Sequence, residues 1–175
     1  MAKIVMIVAP EGYRDEELEV PKKHFEGNGH DVKIASTKMG TCTGVRGGTA
    51  EATLALDDIN VAEFDAVIFV GGPGTPVIRK EPKATGIAKE AAEKGKVVAA
   101  ICWACTTIAK AGILEGKKAT VWVGNDSEYG MTTDKVMEKF GAVYEKKGVV
   151  VDGKFVTADG PASAKQFAEE IEKLI

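Results

Sequence analysis

Three short stretches, KIVMIVA (3–9), FDAVIFV (64–70) and VVAAIC (97–102), are apolar at almost every position. A strand with one face in water alternates polar and apolar residues. A continuous apolar run is the mark of a strand covered on both faces. Each run is followed by a segment with helical signals. RDEELEVPKKHFEGNGH begins near Asp15 and ends at Gly27 and Gly29, with Pro21 inside it, where a proline should kink the helix or shift its ladder. PKATGIAKEAAEKGK follows the second run, and ACTTIAKAGIL the third. DVKIAST (31–37) and KATVWV (118–123) read as further strands, and MTTDKVMEKFGA as a helix capped by Thr132 or Thr133. VVVDGKFVTAD sets Asp-Gly between apolar runs, a hairpin signal. TCTGVRGGTAEATLAL predicts a short hairpin beside the main sheet, and PASAKQFAEEIEKLI a closing helix with Pro161 in its first turn. This alternation predicts an α/β fold: a three-layer sandwich around a mainly parallel, doubly wound sheet, forming one domain over residues 1–175.

Composition narrows the function classes. A chain of 175 residues with 45% hydrophobic and 28% charged residues can build a full core. Its formal net charge of −3 offers no field for nucleic acid, and no apolar run approaches the ~20 residues of a membrane span. Three cysteines do not form a disulfide framework, so a reduced, cytoplasmic setting is expected. No Cys/His cluster has zinc spacing, and neither G-x-G-x-x-G nor a P-loop occurs; the expectation is no metal and no organic cofactor.

Ligands of such folds bind beyond the carboxyl ends of the strands. Three of those ends carry unusual residues. In GGPGTP, Gly71 and Gly72 either allow a tight turn or bring a backbone N–H to a substrate oxygen. Cys102 ends a strand and begins a helix. An inert buried thiol is the common fate of cysteine. At an elbow, however, free N–H groups and the helix dipole should lower the thiol pKa and favour the nucleophilic thiolate. Cys105 completes a C-x-x-C spacing and reads as helix packing, with a Cys102–Cys105 redox pair as the alternative. Glu17 lies in an acidic first turn that the helix dipole alone would justify; a functional role needs it turned inward. His24 and His30 are the only histidines, and His24 stands seven residues, or ~10 Å, further along the helix from Glu17.

The acidic DEELEVP, the phrase FDAVIFVGGPG, the elbow VVAAIC, the stretch AGILEGKKAT and the ending VVVDGKFVTADGP occur together and in order. In this the chain resembles the ThiJ/PfpI superfamily of intracellular proteases, deglycases and stress proteins, nearly end to end. The resemblance implies a flavodoxin-like fold related to class I glutamine amidotransferases. It implies Cys102 as nucleophile, Glu17, four residues before Pro21, as its proton partner, and N–H groups of Gly72 and Trp103 as oxyanion donors. It also implies self-association. The chain departs from the pattern at three places: Trp103 and Trp122 stand where relatives carry histidine, and Asp159 stands where arginine usually precedes Gly-Pro. Without those histidines, peptide hydrolysis gives way to chemistry on a small reactive carbonyl, of the glyoxalase or deglycase kind. The alternatives are an oxidation sensor or stress-response protein working through a Cys102 sulfinate, and a Cys102–Cys105 dithiol protein. The two tryptophans near the cleft add a reason for a homo-oligomer, whose partner subunit would cover them and supply His24.

Overall fold

The computed structural model describes residues 1–175. A seven-stranded sheet runs in the order Val149–Asp152, Phe155–Ala158, Val97–Ile101, Ala66–Phe69, Lys3–Ile7, Asp31–Ser36 and Leu54–Ala55. Every neighbouring pair is parallel except the first, the hairpin turned by Asp-Gly. Successive side chains of a strand point to opposite faces. Thus Ile4 and Met6 enter one core while Val5 and Ile7 enter the other. On the first face the helices Asp15–Gly27 and Ala164–Glu172 bring Leu18, Phe25, Phe167 and Ile171. On the second, Thr75–Lys80, Pro82–Glu93, Cys105–Lys110 and Thr133–Lys139 bring Ile78, Ile87, Ile108 and Met137. Two cores, one on each sheet face, explain why the strand sequences are apolar throughout. This is the flavodoxin-like α/β sandwich, and no helix is long and apolar enough to cross a membrane.

The glycine- and threonine-rich segment forms the antiparallel hairpin Gly40–Gly44 and Thr49–Ala52, which joins Glu11–Tyr13 in a separate three-stranded sheet. The segment 118–123 differs from expectation. Only Lys118–Ala119 is a strand, and it pairs with Val143–Tyr144 outside the main sheet. Phe155–Ala158 already has a strand on each edge, so no backbone ladder remains for residues 120–123. Thr120 instead uses side chains: its N–H donates to Thr157 Oγ1 at 2.9 Å and its hydroxyl to the Lys147 carbonyl at 2.7 Å. Thr132 occupies the predicted cap position without a capping side-chain bond, while the Thr133 hydroxyl donates to the Trp122 carbonyl. The first helix runs on through Pro21, which has no N–H and so leaves the Glu17 carbonyl without its i+4 donor.

The histidines tie the ends of the chain together at the amino end of the sheet. The Ala2 N–H donates to His30 Nδ1 at 2.9 Å, so the other ring nitrogen, Nε2, carries the proton and faces Glu172 Oε1 at 2.7 Å. His24 Nε2 lies 3.5 Å from the same carboxylate. Both rings therefore sit on the seam between the first and last helices, away from the strand ends where ligands bind. Ile68, fully buried in a central strand, tests the frame: Ile68→Ala should lower stability by about 2–5 kcal/mol, read as a fall in the urea midpoint.

Candidate active site

The carboxyl ends of Lys3–Ile7, Ala66–Phe69 and Val97–Ile101 converge, and their loops are tied to one another. The Arg14 N–H donates to the Gly71 carbonyl at 2.8 Å, and the Gly74 N–H to the Gly12 carbonyl at 2.9 Å. Cys102 sits above this junction. Its φ of +63° makes it the only non-glycine residue with a left-handed backbone. Such a conformation costs on the order of 1–3 kcal/mol and survives only where the surroundings enforce it. A short 3₁₀ turn, Cys102–Ala104, separates it from the helix Cys105–Lys110.

The two glycines do different work. A Cβ on Gly71 would stand 2.5 Å from the Ile101 carbonyl oxygen, 2.6 Å from Glu17 Oε2 and 2.7 Å from Cys102 Cβ. The carboxyl and the cysteine thus flank the same missing side chain. Gly72 has a φ of +116°, and a Cβ there would press to 2.5 Å on the Gly12 carbonyl oxygen and 2.6 Å on the Arg14 nitrogen. Only glycine lets the backbone come so close.

Glu17 turns inward and is fully buried. Neither of its carboxyl oxygens closes a well-formed hydrogen bond. Burial pushes its pKa up to about 7, and the nearby Cys102 thiol and Gly71 N–H offset only part of that rise. The thiol is raised as well, first by burial and then by the negative charge of Glu17, while the N–H groups of Trp103 and Gly72 pull the other way. This corrects the expectation of a thiol acidified by a helix dipole: Cys102 is 9% exposed, the α-helix begins only at Cys105, and a carboxylate faces the sulfur. The thiol holds its proton much more tightly than the carboxyl does. Near neutral pH the pair holds a thiol beside a carboxylate able to take the thiol proton.

Glu17, Gly72 and Cys102 line a cleft of about 330 Å³ together with Trp103, Trp122, Arg14, Pro73 and Pro161. A larger groove of about 530 Å³ runs along Lys22, Lys23, Glu26 and Lys33, but it is edged by lysine and glutamate tips and holds no nucleophile. Cys105 is not in the cleft. Its buried thiol is free and points to the carbonyls of Ala100 at 3.3 Å and Ala158 at 3.5 Å. Dithiol chemistry would require it to abandon both bonds. His24 is also absent from the cleft.

Sequence reasoning missed the support behind Trp103. The Trp103 ring N–H donates to Asp126 Oδ2 at 2.9 Å, and the fully buried Arg79 clasps the same carboxylate at 2.5 and 3.0 Å. Arg79 also reaches Glu128 at 2.7 Å. Burial opposes both charges, yet the ion pair and its hydrogen bonds outweigh it, holding Asp126 below the usual carboxylate range and raising Arg79. Nothing in VIRKEP or GNDSEYG announces this pairing, because its partners lie 47 residues apart.

Fold and site together define a flavodoxin-like α/β protein with a cysteine at a strained elbow. The chain belongs to the DJ-1/PfpI family, whose sequence pattern matches residues 2–174. It is 39% identical over 99% of its length to an uncharacterised protein of Methanocaldococcus jannaschii, of which it covers 82%. It is 38% identical over 66% of its length to a deglycase of Thermococcus kodakarensis, covering 70% of that protein. The crystal structure of a ThiJ/PfpI domain protein from Brachyspira murdochii superimposes with a TM-score of 0.91 at 32% identity, covering 98% of this chain and 95% of that one.

Two outcomes follow from the Glu17–Cys102 geometry. A glutamate whose folded pKa of about 7 exceeds its ordinary 4.5 binds its proton more tightly in the folded state. Its contribution to stability is full below about 4.5 and is lost as the pH rises through about 7. Glu17→Gln should therefore gain urea resistance over the native protein between roughly pH 5 and 8, whereas Glu16→Gln should track it. Gly71→Ala must displace the carboxyl, the elbow or both. We expect a loss of about 1–3 kcal/mol, the scale of overpacked cores, and a Cys102 alkylation rate no longer sensitive to Glu17→Gln.

Proposed function

We propose that the protein is a cysteine-dependent enzyme that consumes small α-oxoaldehydes or their early adducts, a glyoxalase- or deglycase-type activity. The observation that carries this reading is the thiol held at a strained elbow against a buried carboxyl of pKa about 7, with two backbone N–H groups beside the sulfur. The name of the Thermococcus kodakarensis relative supports it.

Sulfur adds to the aldehyde carbon: the S–C bond forms, the carbonyl π pair moves onto oxygen, and the thiol proton passes to the Glu17 carboxylate. The N–H groups of Gly72 and Trp103 meet the developing oxyanion, the kind of preorganised donor pair that contributes most to such steps. Glu17 returns that proton to the oxygen, then takes the proton of the former aldehyde carbon, leaving an enediolate, and delivers it to the neighbouring ketone carbon, while the hydroxyl proton of the former aldehyde oxygen passes to the former ketone oxygen. The adduct is then a thioester, and water cleaves it to a 2-hydroxy acid and the free thiol. With a free α-oxoaldehyde no amine has to depart, so no histidine acid is required, and Trp103 after the cysteine is compatible with the reaction. A carboxylate with a pKa near the working pH is well matched to both proton transfers.

One observation favours a second reading. Protonated below about pH 7 and without a well-formed hydrogen bond of its own, Glu17 can donate to an oxygen of an oxidised Cys102, which suits a sulfinate-forming oxidation sensor.

Methylglyoxal turnover separates the two. Under the enzyme reading Cys102→Ala has no activity, and Glu17→Gln loses about 10²–10⁴-fold in kcat. The rate of the native protein rises through about pH 7 as the Glu17 carboxylate forms, and Glu17→Gln lacks that inflection. Absence of turnover, with two oxygens gained in intact mass on mild peroxide treatment, would establish the sensor instead.

A further inference from the structure

The proposed carbonyl chemistry uses the floor of the cleft and leaves its walls to be explained. Both tryptophans of the chain stand there, ring centroids 5.6 Å apart and planes inclined at 40°. Each is clamped. The Trp103 ring N–H is held by Asp126, and its carbonyl accepts from the Thr106 hydroxyl at 2.8 Å. Arg79 bonds that same hydroxyl at 2.9 Å as well as the Asp126 carboxylate, so one buried cation fixes the residue at both ends.

Trp122 is clamped by different means. Its six-membered ring folds over Gly124, where any Cβ would overlap the ring carbons. Its carbonyl accepts from the Thr133 hydroxyl, and Thr133 in turn binds Gly124 from both backbone directions, at 2.9 and 3.1 Å. Even so, Trp122 remains 38% exposed.

A large aromatic surface held rigid yet left open to water gains free energy when a flat apolar group covers it, and rigidity lowers the ordering cost of doing so. Pro73 and Pro161 add further apolar rim without donors. Arg14, the only cation on the cleft, directs its Nε and one terminal nitrogen to Glu16 at 2.9 and 3.4 Å, which weakens its pull on a carboxylate-bearing substrate.

We propose that the cleft selects α-oxoaldehydes whose substituent is flat and apolar, an aryl group above all, laid against the Trp103–Trp122 wall. This rests on the carbonyl reading of the site, and the test keeps the two apart. Phenylglyoxal should show a kcat/KM at least tenfold above methylglyoxal, with the difference in KM. Gly124→Ala, which dislodges the Trp122 ring, and Trp122→Leu, which removes it, should each bring that ratio close to unity. Recognition is read without turnover in Cys102→Ala, whose ¹H–¹⁵N spectrum has two indole signals, one from each cleft tryptophan. Acetophenone should shift both, and acetone at the same concentration neither. Equal kcat/KM for the two dicarbonyls, a ratio unchanged in both wall variants, or indole signals unmoved by acetophenone overturns the proposal. If neither dicarbonyl is consumed while acetophenone moves both signals, the carbonyl reaction fails and the aromatic recognition stands.

Discussion

The Gly71 position, where a side chain is missing, holds the site together. Glu17 Oε2 and Cys102 Cβ crowd the place its Cβ would take, so the approach of carboxyl to thiol is a matter of sterics before it is one of chemistry. Around it, each element is forced. Gly72 must be glycine for the loop to lie against Gly12 and Arg14, and Cys102 must accept a left-handed φ for its sulfur to rise over the sheet. Burying an under-bonded carboxyl and straining an elbow both oppose folding. They persist because two cores, one on each sheet face, supply a far larger apolar term.

That cost has a chemical use. In water a glutamate is ionised and a thiol protonated at neutral pH, with little reason to exchange a proton. In the cleft, burial raises both groups, and on the proposed reading the raised carboxylate serves as the base for the thiol. The resting sulfur is thus a protonated thiol and not a standing thiolate. A helix dipole would have produced the opposite resting state.

Behind the wall, Arg79 organises a second layer. A buried guanidinium, with Asp126 and Glu128 as its anionic partners, is no bargain for stability on its own. Its geometric effect is clearer: through Thr106 and Asp126 it grips Trp103 by main chain and side chain at once. Since the Trp103 backbone N–H faces the sulfur while its ring N–H is held by Asp126, the network ties the shape of the cleft to the elbow itself.

Much of the fold could be read from order and pattern. Apolar runs at 3–9, 64–70 and 97–102, each followed by a helical segment, become central parallel strands because burial on both faces admits no other residue type. Asp-Gly at 152–153 turns a hairpin for purely local reasons. Cys102, Glu17 and Gly72 could be picked out by their places at strand ends and by family likeness, and the structure does gather them in one cleft. What sequence could not contain was anything that depends on who stands opposite. KATVWV has the composition of a strand, yet only two of its residues pair, because the neighbouring strand has no free edge. The thiol pKa reversed direction first because folding buries the sulfur and then because a carboxyl from a helix far away in the chain faces it. Arg79, in the last turn of its helix, is fully buried beside the site, and nothing local in its sequence marks it. Local propensity and hydrophobic period are written in neighbouring residues, so the sequence by itself determined the layers and the elbow. Electrostatics, edge pairing and the aromatic wall arise between residues brought together only by folding, and those the tertiary structure alone decided.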